Sequence, residues 1–186
     1  MKYIIEHLEP RLYKWCILEY KHISEIVRKN NLIFTNIKSG SDKLKGLGKI
    51  YRESIKELDL KRVCILDPFA EKILSFKDKE KFDYLVFGGI LGDFPMKKRT
   101  KKELSDKMNV EKRNLGKKQM STDTAVYVAK GIIEGKKLED FKFQDEIEVE
   151  IKEGESVILP FRYVVEKGKP ILPKGFVEFL KKRKQF

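Results

Sequence analysis

Along the first two thirds of the chain, short apolar runs alternate with stretches whose apolar residues recur every three or four positions. Residues 3–7 (YIIEH) predict a strand. Glu9-Pro10 opens a predicted helix, with proline where a missing N–H costs least. Leu12, Trp15, Cys16, Leu18, Ile23, Ile26 and Val27 give that helix one apolar face through about residue 28. Residues 31–37 (NLIFTNI) predict a second strand, KSGSDKLKGLGK a mobile loop, and 49–58 a helix. Residues 62–66 (RVCIL) read as a buried strand ending at Asp67-Pro68, and 69–76 as a short helix. Residues 82–87 (FDYLVF) read as a strand running straight into Gly88-Gly89-Ile90-Leu91-Gly92-Asp93. A short helix over 101–108, a strand over 110–115 and a loop over 116–121 follow. A helix over 122–133 takes Ser121 or Thr122 as N-cap, has Asp123 in its first turn and stops at Gly135.

The texture changes after about residue 135. EIEVEI, EGE and SVILPFRYVVE predict a hairpin, and 173–184 an amphipathic helix. The fold class is therefore α/β, a mostly parallel sheet flanked by helices, with a C-terminal β-hairpin and helix extension over about 136–186. All 186 residues suit one domain, and no internal repeat is present. The longest uninterrupted run of apolar residues and glycine covers residues 84–92. A bilayer span needs roughly 20, so no membrane partner is expected. Glu6 and Glu9 follow the first methionine too closely for a secretory signal. Cys16 and Cys64 stand alone in apolar stretches and predict buried thiols in a reducing, cytoplasmic setting. Neither they nor His7 and His22 have metal-ligand spacing, and no metal is expected.

Charge sharpens this picture because it is uneven. The chain carries 41 Lys+Arg against 29 Asp+Glu, a formal net of +12. Residues 97–118 hold ten basic side chains and three acidic ones, a net of +7, and Lys181, Lys182, Arg183 and Lys184 add four more. The remainder is close to neutral. A solvated helix face and a soluble tail explain such clusters in many proteins. Packed between two glycine-bearing loops, the first is also the footprint expected beside a phosphate backbone.

Motif chemistry is mostly negative. GSDKLKGLGKI (40–50) fails as a phosphate loop, because Lys43 stands where its first glycine belongs and Ile50 where Ser or Thr must follow the lysine. GxGxxG is absent, so neither nucleotide hydrolysis nor dinucleotide binding has support. Two strand-to-loop junctions remain, residues 85–93 and 114–125. Each alone reads as an ordinary turn. Together, at the carboxyl ends of neighbouring strands, they predict a ligand crevice.

These residues identify a resemblance. YIIEH…W…LEY (3–20), LDP (66–68), FDYLVFGGILGD (82–93), LGKKQMSTDTA (115–125) and LPFRYV…GKPILP (159–173) resemble the SPOUT superfamily of S-adenosylmethionine-dependent methyltransferases. Within it, the chain looks like a small archaeal and eukaryotic branch whose eukaryotic representative methylates an arginine of a small-subunit ribosomal protein. The resemblance implies a trefoil knot and cofactor region over about 62–135, S-adenosyl-L-methionine as cofactor, and a homodimer, usual in the superfamily, or a monomer. It implies cofactor contacts from Leu66, Asp67 and Pro68, from Gly88, Gly89, Ile90, Leu91 and Gly92, and from Leu115, Gly116, Gln119, Met120 and Thr122.

For an arginine acceptor, carboxylates should fork the guanidinium, and Glu6, Glu19 and Asp93 are the catalytic candidates. Glu9, Lys97, Lys98, Arg99, Lys101 and Lys102 are the candidate substrate contacts. For an RNA acceptor, Asp93 or Asp123 would serve as base. Trp15 and Tyr20 read as core, and His7 and His22 as structural or exposed. The expected activity is methyl transfer in the translation apparatus, to an arginine of a ribosomal protein or alternatively to rRNA or tRNA. A non-catalytic ribosome-binding or assembly factor is the rival from another class.

Overall fold

The computed structural model describes residues 1–182. Six parallel strands form the central sheet in the order β3-β2-β1-β5-β4-β6. They are β1 Lys2–His7, β2 Leu32–Thr35, β3 Lys49–Ile50, β4 Val63–Leu66, β5 Tyr84–Gly89 and β6 Glu111–Arg113. Parallel strands buried on both faces need apolar residues at successive positions, and Ile4 with Ile5, or Leu85 with Val86, supply them at 0% exposure.

Strand alternation divides the core. Tyr3, Ile5, Cys64, Leu66, Leu85 and Phe87 face α1 (Lys14–Val27) and α4 (Thr122–Ile133), which pack on one side of the sheet. Ile4, Val63, Ile65 and Val86 face the other side, covered by Ile55 and Leu104. Short helices α2 (Asp78–Lys81) and α3 (Arg99–Glu103) sit in the connections.

After α4 the chain builds a second packing unit. β10 (Tyr163–Glu166) pairs antiparallel with β7 (Phe143–Gln144) and β11 (Lys169–Pro170), while β8 (Ile147–Lys152) and β9 (Glu155–Leu159) form a hairpin. Phe161, Tyr163 and residues of α5 (Phe176–Lys182) make a small core that closes on Trp15 and Leu18 of α1. Trp15 meets Phe176 edge-on with centroids 4.8 Å apart. Each such buried side chain contributes about 1.5–3 kcal/mol.

Several sequence expectations are corrected. No helix forms over 49–58: β3 pairs with β2, and Ser54 caps only the single turn Ile55–Glu57. The first helix begins at Lys14 rather than Pro10, because Glu9 is taken up by Arg99 and the Leu91 N–H. Residues 69–76 are irregular, held against β6 by an Ile73–Asn114 bridge. The extension has a true hairpin, but its final run, YVVE, leaves it to join β7 and β11. Arg183 and Lys184 of the basic tail lie outside the described residues.

Candidate active site

β4, β5 and β6 are neighbours, and their carboxyl ends deliver three loops to one crevice. Leu66, Asp67, Pro68 and Phe69 come from the end of β4. Phe87, Gly88, Ile90, Gly92 and Asp93 come from β5. Leu115, Gly116, Lys118, Gln119 and Met120 follow β6, with Thr122 and Ala125 at the start of α4. Met96 to Lys101 closes the remaining side. Counting the solvent in its open mouth, the crevice holds about 820 Å³ of free space.

Hydrogen bonds lock these loops to one another. Asp67 N–H donates to the Arg113 carbonyl at 2.9 Å, and Phe69 N–H to Asp67 Oδ1 at 2.9 Å. Asn114 ties two loops, donating to the Ala70 carbonyl and accepting from the Gly116 N–H. Gly116 takes a φ of 92°, which favours glycine there. Gln119 Nε2 donates to the Asp93 carbonyl at 3.2 Å, and the Arg162 N–H donates to the Gln119 carbonyl at 2.8 Å. The C-terminal extension thus braces the third loop, and a Met120–Arg162 bridge continues the contact.

The walls differ in character. Leu66, Phe87, Ile90, Leu115, Met120 and Ala125 make an apolar interior. Gly88 leaves room in it, since a Cβ there would stand 3.0 Å from Ile90 Cδ1 and 3.2 Å from Thr100 Oγ1. The rim is cationic, with Lys97, Lys98, Arg99, Lys101 and Lys118 against two carboxylates, Asp67 and Asp93. A crevice of this kind suits a flat, weakly charged group held by backbone and small apolar contacts.

Comparison with known proteins decides the family. Residues 2–185 match the family described as protein arginine N-methyltransferase SFM1-like. The chain belongs to the SFM1-like family. Protein arginine N-methyltransferase SFM1 of Saccharomyces cerevisiae is 43% identical, over 98% of this chain and 95% of the yeast protein. The crystal structure of the yeast arginine methyltransferase SFM1 complexed with SAH superposes with a TM-score of 0.88 at 41% identity, covering 97% of this chain and 94% of that one. The crystal structure of dual-specific Trm10 from Thermococcus kodakaraensis shares the fold, with a TM-score of 0.56 at 20% identity over 75% of this chain and 96% of that one. The six-stranded parallel sheet flanked by helices is thus that of the SPOUT-type methyltransferases.

In this SFM1-like chain, eleven of the thirteen residues expected to touch a cofactor line the crevice: Leu66, Asp67, Pro68, Gly88, Ile90, Gly92, Leu115, Gly116, Gln119, Met120 and Thr122. Gly89 and Leu91 do not. Gly89 points away from Gly88 and into the packing under α1, where a Cβ would overlap the Tyr20 hydroxyl and stand 2.9 Å from Ile5 Cγ2. Leu91 packs against the main core, and its N–H donates to Glu9 Oε1 at 3.0 Å. Phe69, Phe87, Met96, Thr100, Lys118 and Ala125 also line the crevice without being among the expected contacts, although Phe87, Lys118 and Ala125 fall inside the motif blocks. Phe69 directly follows the LDP block, which is the one local signal for it.

The carboxylate candidates separate. Glu6 is fully buried and takes hydrogen bonds from Thr35 Oγ1 (2.5 Å), Ser54 Oγ (2.6 Å) and the Ile55 N–H (2.9 Å). Its acceptor capacity is spent within the fold, away from the crevice. Glu19 lies behind the crevice wall, close to Thr122, and accepts from Trp15 Nε1 at 2.8 Å. Burial, and then the nearby Asp123 carboxylate, raise the Glu19 carboxyl well above its ordinary range. Asp123 is itself buried and lies 2.7 Å from His22 Nδ1. Of these candidates only Asp93 reaches the crevice, with its side chain 27% exposed and paired to Lys97 at 3.0 Å. Of the expected substrate contacts, Lys97, Lys98, Arg99 and Lys101 line the crevice, while Glu9 and Lys102 do not.

Proposed function

We propose that this chain transfers a methyl group from S-adenosylmethionine to an arginine side chain of a ribosomal protein, in the cytoplasm. The observation that carries the reading is the assembly of the crevice itself. The loops ending β4, β5 and β6 converge on one apolar cleft in a chain that matches a family of arginine methyltransferases over residues 2–185. Yeast SFM1 structures complexed with SAM, SAH and MTA support the same cofactor class. The superfamily's knot is read over about 62–135, and β4 lying between β5 and β6 supports that threading.

The residues present fit such a cofactor. Leu66, Phe87, Ile90, Leu115 and Met120 would hold its base by apolar contact, and Gly88 leaves the space. The cofactor, when bound, supplies a methyl on a sulfonium whose leaving group is a neutral thioether. The chain's own task is then to align the acceptor and handle one proton. Asp93 is the carboxylate positioned for it. It exchanges the exposed Lys97 for the acceptor guanidinium in a charge-assisted pair and takes up the proton that the reacting nitrogen sheds.

Incubation with tritiated S-adenosylmethionine and a cell lysate tests the reading. Label should survive ribonuclease, vanish with protease, and appear in methylarginine after acid hydrolysis. Label that survives protease and is lost to ribonuclease ends the arginine assignment. Asp93→Asn should lower turnover at least tenfold while leaving affinity for the demethylated cofactor within about threefold.

A further inference from the structure

We propose that the surface around the crevice mouth is a docking site for single-stranded RNA, with Phe69 and Phe94 as base-stacking platforms and the surrounding lysines as phosphate contacts. Two independent features of this surface meet at one place. The first is apolar exposure. The large apolar side chains most exposed among the described residues are Phe69 (42%), Ile73 (56%), Phe76 (52%), Phe94 (77%) and Ile158 (57%). All but Ile158 fall within residues 69–94, on the segments that build the β4 and β5 sides of the crevice. Of these, Phe69 lines the crevice and Phe94 an adjoining recess that shares Asp93, Met96, Lys118 and Gln119 with it; large apolar side chains left in water beside a cleft mark a surface that meets a partner.

The second feature is charge interleaved with those rings. Lys98 Nζ lies 4.9 Å from the centroid of Phe69, and Lys79 Nζ 5.8 Å from that of Phe76. Phe94 borders a recess lined by Lys117, Lys118 and Arg162 and by Asp93, Asp145 and Glu146, where Asp145 pairs with Arg162 and Lys118 and leaves Lys117 as the cation for a phosphate. On both sides of the crevice an aromatic ring thus sits beside cationic groups. Aromatic platforms set in a cationic track are the means by which proteins hold unpaired nucleic acid, rings taking bases and cations taking phosphates. An acidic protein would meet the charges, but it offers nothing flat and numerous enough to occupy the rings.

The surface also resolves a conflict. An arginine-bearing segment approaching a rim with five cations and two carboxylates is repelled. Phosphates docked along that rim neutralise it and let the cationic acceptor reach Asp93. This step rests on the arginine reading; the rings and lysines do not. The partner is therefore unpaired RNA lying beside the acceptor arginine.

The test uses the full chain and a fluorescein-labelled RNA of about 12 nucleotides in mixed sequence, without cofactor or acceptor. Its outcome is thus independent of the methyl-transfer reading. Anisotropy should show binding that weakens as salt rises, with log K against log[salt] falling by about 0.7 per phosphate neutralised. Phe94→Ala, at a site too exposed to affect folding, should weaken binding about tenfold with little change in that slope. Lys117→Glu should instead weaken binding and flatten the slope. No binding near 0.1 M salt overturns the proposal. So does displacement by polyglutamate as effective, charge for charge, as by unlabelled RNA, together with an unaltered Phe94→Ala, since that describes a face for acidic protein.

Discussion

Glu9 and Arg99 meet at 2.6 Å across ninety positions of sequence, and their contact fastens the cationic side of the crevice to the end of β1. The same carboxylate oxygen accepts the Leu91 N–H, Arg99 Nη2 donates to the Leu8 carbonyl at 3.0 Å, and Arg99 Nε reaches Glu103. One guanidinium therefore joins three segments. Arg99→Ala should lower affinity for S-adenosylhomocysteine about tenfold, roughly 1.4 kcal/mol, measured by calorimetry. Arg99→Lys should recover only part of it, because an ammonium cannot reproduce the planar fork. Full affinity in both variants would show that this clamp does not shape the site.

Glu6 behaves as a structural acceptor. Glu6→Ala strands two hydroxyls and the Ile55 N–H inside the protein, and should cost about 3 kcal/mol in urea unfolding. The protein that remains folded should bind cofactor normally. Wild-type stability with lost turnover would return Glu6 to the catalytic candidates.

Glu19 predicts a pH effect. The folded chain binds its proton more tightly than the unfolded chain does, so the associated stability is complete below the ordinary carboxyl range. It is lost as pH rises through the raised value. Glu19→Gln keeps an oxygen for Trp15 Nε1 and removes that titration. Its melting temperature should fall less than the wild type's as pH rises from 5 to 8. Identical pH profiles would place the Glu19 proton elsewhere.

Gly89→Ala should destabilise the chain by about 1–3 kcal/mol, through overlap with Tyr20 and Ile5 rather than through the crevice. The expected signature is a lower denaturation midpoint with cofactor affinity unchanged in the folded fraction. A selective loss of affinity would mean that Gly89 faces the ligand.

The contrast between Gly88 and Gly89 shows what sequence can carry. Both stand in one glycine-rich junction, and the crevice is legible there because strand ends and glycines are local signals. Which glycine faces the ligand depends on strand parity against β1, where Glu6 pairs with Gly88 and His7 with Gly89. Strands β4 and β5 and helix α4 are readable from period alone. Residues 49–58 are not, because Tyr51, Ile55 and Leu58 imitate helical spacing while the outcome is set by β2 pairing and by Ser54 donating to Glu6. The Glu9–Arg99 clamp is out of reach for the same reason: nothing near either residue names the other.

The Arg162 contact with Gln119 bears on how the protein matures. During synthesis every residue of the crevice emerges before the strand segment that braces its third loop. A nascent chain halted short of that point would own the whole binding wall and still lack the brace that steadies it. Competence to hold a cofactor should therefore arise only once that segment has emerged and docked.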